Sequence, residues 1–74
     1  MKLNPDMIKA IEVLRRGPAT AAALGAELTG RKDSAIQGSR ILNSLRRRGL
    51  AFTRFDRFSG HFVWELTAKG DAAP

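Results

Sequence analysis

The chain has 74 residues, no cysteine, and 13 Lys/Arg against 7 Asp/Glu, for a formal net charge of +6. That length bounds it to one small domain, residues 1–74, with little core to spare. The missing cysteine excludes disulfides and thiolate metal sites. The charge is also unevenly placed. Eight basic residues (Arg31, Lys32, Arg40, Arg46, Arg47, Arg48, Arg54, Arg57) and two acidic ones (Asp33, Asp56) lie between Arg31 and Arg57, and the rest of the chain is balanced. Such an excess attracts polyanions, above all nucleic acid, although a solvated, solubilising face would carry the same composition. There is no charged-then-apolar leader and no apolar run of membrane length, so a soluble cytoplasmic protein with no membrane partner is the simplest expectation.

A first helix is predicted from Pro5, with Asn4 as its cap and Asp6 near its start. Met7, Ile8, Ile11 and Leu14 form its apolar stripe, and Gly17–Pro18 stops it. Thr20 caps a short second helix, Ala21 to Leu28, with Ala21, Leu24 and Leu28 on one face. The run TGRKD, Thr29 to Asp33, reads as the next turn. Ser34 with Gln37 matches a capping box and opens a third helix, Ala35 to about Arg48, with Gly49 at its C-terminal cap. At about 100° per residue, Gly38, Ile41, Leu42 and Leu45 face the core. Ile36, Arg40, Asn43 and Arg47 face away, with Gln37 and Ser44 on one flank and Ser39 and Arg46 on the other.

The pattern then changes to strands. Ala51 to Arg57 is one, Ser59–Gly60 is a turn, and HFVWELT, His61 to Thr67, is the second. Phe62, Trp64 and Leu66 alternate on one side of the second strand, and Trp64 is assigned to the core. Phe52 and Phe55 fall on opposite faces of the first. The tail from about residue 68 reads as frayed or as a single terminal turn.

Three helices and a hairpin are an α+β arrangement in the order of a winged helix-turn-helix domain. The run GPATAAALGAEL resembles the second-helix segment of bacterial winged-helix regulators of the MarR and ArsR type. SRILNSLRRRGLAFTRFDRFSGHFVWELTAKG resembles their recognition helix, wing and LT-x-KG ending. The resemblance spans nearly the whole chain. The full-length regulators carry extra helices that form a dimer. Seven residues follow Thr67 here, and no such helices are expected. Gly38 stands where those families place an apolar side chain, and either loosens the helix start or permits a close contact.

The chemistry follows from the third helix. Arginine bonds guanine bidentately in the major groove, and asparagine or glutamine does the same to adenine. The resemblance implies that Gln37, Arg40 and Asn43 read bases, with Ser39 beside them, and that Arg47 contacts phosphate. An ordinary wet helix face would look similar. Arg31 and Lys32 precede the helix as phosphate ligands, and Arg54 and Arg57 do the same from the wing. Three readings are open for Ile36: contact with a thymine methyl, folding back on the turn, or a shifted helix start. Three are open for Phe58: a wedge or stack on DNA, a protein-partner contact, or closure over the core.

His61 is the only histidine, with no acid pair or cysteine near it in sequence, so no metal site, cofactor or enzyme is expected. No small-molecule effector site is evident. The expected function is sequence-specific binding of double-stranded DNA by a bacterial or phage transcriptional regulator, alone, as a homodimer or with a protein partner. The alternatives are a winged-helix adaptor in a larger complex and a non-specific nucleic-acid binder. An outward face carrying Gln37, Arg40 and Asn43 favours DNA. Dependence on Ile36, Phe55 or Phe58 favours a protein partner.

Overall fold

A computed structural model describes residues 3–30 and 35–72. In chain order the elements are α1 (Pro5–Arg16), α2 (Ala21–Thr29), α3 (Ala35–Arg47), β1 (Ala51–Asp56), β2 (His61–Leu66) and a single helical turn, α4 (Ala68–Asp71). Arg31, Lys32, Asp33 and Ser34 lie outside the described residues, and with them the Ser34 half of the capping box.

Local chemistry sets the helix ends. Asn4 Oδ1 accepts a 2.8 Å bond from the Met7 N–H, and Thr20 Oγ1 accepts a 3.1 Å bond from the Ala23 N–H. Each satisfies an amide that the first turn leaves unpaired, which is typically worth about 1 kcal/mol. Asp6 at the start of α1 and Arg15 and Arg16 at its end match the helix dipole. Gly49, at φ 73°, ends the third helical segment in the left-handed conformation. Its N–H donates to Arg46 O and that of Leu50 to Leu45 O, both at 2.9 Å, and the chain reverses directly into β1.

The core lies between the helices and the inner half of the hairpin. It contains Met7, Ala10, Ile11, Val13 and Leu14 of α1, Leu24 of α2, Leu42 and Leu45 of α3, and Leu50, Ala51 and Trp64. One expectation fails in α1. Ile8 is 40% exposed, and Ala10 and Val13 take its place. At 3.6 residues per turn, Ile8 falls about 120° from the centre of the buried face, while Ala10 and Val13 fall inside it. The predicted stripe followed residue size, whereas burial follows angle.

The second and third helices pack most closely at Gly38. A Cβ there would overlap the Ala21 carbonyl oxygen and come within 3.0 Å of the Gly25 nitrogen. The glycine therefore permits a close contact rather than a loose helix start. Absence of a side chain lets the two backbones touch, which fixes how α3 stands on α2.

β1 and β2 pair antiparallel, from Ala51↔Leu66 to Asp56↔His61. Trp64 makes a further bridge to Ala19 on its other edge, through bonds of 3.1 and 2.7 Å. Directly opposed residues share a face, so Ala51, Thr53, Phe55, Phe62, Trp64 and Leu66 lie on the helix side. The alternation of Phe62, Trp64 and Leu66 is therefore on one side, as the pattern predicts. Burial along it is uneven, however, because Trp64 is 8% exposed and Phe62 is 62% exposed. On the helix-side face, the Phe55–Phe62 pair of the outer half is exposed, whereas Ala51 and Trp64 of the inner half are buried.

The LT-x-KG run closes the base of the hairpin. The Thr67 hydroxyl donates to Gly49 O at 2.6 Å and accepts from the Gly70 N–H at 3.1 Å. Lys69 Nζ reaches Arg48 O at 3.2 Å, and Arg15 bonds Asp71 O at 3.0 Å. Gly70 is buried against the Leu50 carbonyl, where a Cβ would overlap it. Three bonds, made by Thr67, Lys69 and Arg15, thus lock α4 onto the α3–β1 junction and the end of α1.

Candidate nucleic-acid interface

The outward side of α3 is a continuous surface strip. Ala35, Ile36, Ser39, Arg40, Asn43, Ser44 and Arg47 line one shallow groove along it. These positions recur at intervals of one, three and four, the spacing that stacks side chains on one helix face. Leu42 and Leu45 on the opposite side are fully buried, and Gly38 rests on α2, so the strip is held rigidly. Arg40 and Arg47 are exposed, and Ser39 and Asn43 are half-buried.

Gln37 is exposed but does not line the groove. It falls about 160° around the helix from Ser39, so these two residues flank the helix on opposite sides. Ile36 is 73% exposed. The described helix includes it and begins at Ala35, where expected.

Among the described residues, Arg40, Arg46, Arg47 and Arg57 take part in no ion pair. Arg54 differs. Its Nε donates to Glu65 Oε2 across the outer face of the hairpin. That hydrogen bond first, and then the charge of Glu65, raise the Arg54 pKa above its ordinary value. The pair is exposed and adds little stability, but it balances the Arg54 charge locally. The register carries this information: Glu65 sits opposite Phe52, one diagonal step from Arg54.

The hairpin tip is a built turn. Asp56 Oδ1 accepts from the Phe58 N–H at 3.4 Å and Oδ2 from the Ser59 N–H at 3.3 Å. The Gly60 N–H reaches Asp56 O at 2.9 Å, and the His61 N–H reaches Ser59 Oγ at 3.3 Å. Hydrogen bonding from Ser59 is the main cause that holds the Asp56 carboxyl below its ordinary pKa, with the Phe58 amide and the Arg54 charge also lowering it. Phe58 points wholly into solvent, which excludes closure over the core. The run D-x-x-S-G is the sequence signal for this turn. His61 is exposed, and the described residues hold no group of three or more His, Cys, Asp or Glu placed to bind a metal. No helix among them is long and apolar enough to cross a membrane.

The architecture matches a solved structure. A mutant of ZitR from Lactococcus lactis superposes with a TM-score of 0.80 over 96% of this chain, at 21% identity. The fold is a winged helix-turn-helix. In its terms α3 is the third helix and the β1–β2 hairpin is the wing. The chain spans 47% of the length of the ZitR chain it matches, so the likeness concerns this domain alone. No protein-family model and no curated protein matches the sequence.

Proposed function

We propose that this domain binds double-stranded DNA with sequence preference, as a bacterial or phage transcriptional regulator. The observation that carries this reading is the α3 strip: Arg40, Asn43 and Arg47 in line on a helix whose other face is buried, with neither arginine in an ion pair among the described residues. An α-helix fits the major groove, and these side chains carry the donors that guanine and adenine accept. Entry by the N-terminal end would bring both flanks of the first turn to base edges. In this reading Gln37, Ser39, Arg40 and Asn43 contact bases. Arg47, further along, lies against phosphate, as do Arg31 and Lys32 before the helix. Arg57 is the stronger phosphate ligand of the wing, because Arg54 is shared with Glu65.

The test is selection of bound duplexes from a random library at near-physiological salt. Enrichment of a short motif is expected, and an inverted repeat would add a homodimer. Retention without enrichment would leave only non-specific binding, and no retention would remove DNA and favour a protein adaptor. A salt series separates the two wing arginines. Arg57→Ala should flatten the slope of log affinity against log salt by about 0.9, the share of one phosphate contact, and Arg54→Ala should flatten it by less. Equal slopes for wild type and Arg57→Ala would take Arg57 off the backbone.

A further inference from the structure

The outer end of the wing carries a chemistry that the α3 strip does not use. All four phenylalanines of the chain lie on the hairpin, and each is at least 41% exposed. Phe55 and Phe62 face each other across the strands, edge to face, with centroids 5.3 Å apart. Phe58 stands beyond them on the Asp56 turn. At about 200 Å² per side chain, Phe55, Phe58 and Phe62 expose roughly 400 Å², in the range where a patch on a monomer is commonly functional.

That area helps to choose the occupant. A stable protein–protein interface needs about 800 Å² from each side, so a second copy would not be held by this patch alone. The surrounding charge also discriminates. Arg57 is exposed next to Phe58, whereas the Asp56 carboxylate is turned onto backbone amides of the same turn. The tip therefore offers a protruding ring beside a cation. A duplex complements both, with phosphates at its surface and stacked bases beneath. Reach fits as well. Six residues of β1 extend about 20 Å, close to the half-turn of about 17 Å from a major groove to the next minor groove.

We propose that Phe58 is a wedge that enters a base step of the minor groove beside the major groove occupied by α3. Arg57 holds the adjacent phosphate, and the Phe55–Phe62 pair backs the wedge. This rests on the DNA-binding reading above. Insertion unstacks the step and bends the duplex toward the major groove, so flexible pyrimidine–purine steps are favoured under the wing. The turn bonds hold the ring outward before binding, which lowers the ordering cost.

The experiment measures affinity and bending together, with the full chain and a duplex from the selected pool labelled at both ends for energy transfer. Wild type should bind and bend it. Phe58→Ala should keep its thermal midpoint and salt slope, lose the bend and bind about tenfold more weakly. Phe58→Leu should keep most of the bend, since an aliphatic side chain also wedges, whereas a stacking platform would lose it. If Phe58→Ala binds and bends like wild type, the wedge is overturned and the patch is left to a protein partner. Binding of the wild type without bending overturns the wedge and spares the DNA-binding reading. No binding by the wild type overturns both.

Discussion

The helical body and the wing use apolar residues in opposite ways. Met7, Ile11, Leu24, Leu42 and Leu45 of the helices are each at most 3% exposed, while the phenylalanines of the wing face solvent. Trp64 and Phe62 make the contrast within one strand. They share the helix-side face two residues apart, and one is buried while the other is 62% exposed. Periodicity tells which side of an element a residue occupies. Whether that side is covered depends on where the neighbouring elements end.

The contrast can be broken most directly at Trp64. Trp64→Ala should cost about 3–5 kcal/mol, because it opens a cavity under the α1 packing, whereas Phe62→Ala should cost roughly 1 kcal/mol or less, the scale of an exposed edge-to-face pair. Chemical denaturation of both variants measures this, and equal midpoints would abolish the distinction between inner and outer hairpin. Next in size is Gly38→Ala, expected to destabilise by about 1–3 kcal/mol because backbone, not a movable side chain, meets the new methyl. An unchanged melting temperature would mean that the α2–α3 contact yields to a methyl group without cost.

On the outer face, Arg40→Ala should weaken binding to a cognate duplex by about 1–3 kcal/mol and relax the preference at one base pair. Equal losses on cognate and random DNA would make Arg40 a phosphate ligand. The smallest effect is expected at the tip. The Asp56 carboxylate has a lowered pKa in the folded chain, so its contribution to the turn is present above the unfolded value and is lost as pH falls through the folded one. The Phe58 and Ser59 amide resonances should shift together with a midpoint below the ordinary aspartate value. A midpoint at or above that value would detach the carboxylate from the turn.

Much of this was legible in residue order. Asn4, Thr20 and Gly49 mark helix ends through bonds made within a few residues, and Leu42 and Leu45 follow the helical period. The candidate strip was legible for the same reason, since Arg40, Asn43 and Arg47 share a face by spacing alone. Ile8 and Phe62 were not, because large apolar side chains at plausible positions look alike whether covered or bare.

By itself, then, the sequence determined the order and faces of the elements, the turn chemistry and the concentration of charge on the central third. All of these depend on neighbours close along the chain. Tertiary structure alone decided that Gly38 is a backbone contact with Ala21 and Gly25, that Glu65 takes up Arg54, and that Phe58 stands clear of the core. Each depends on a distance between elements, and no local pattern encodes where one element stops beside another.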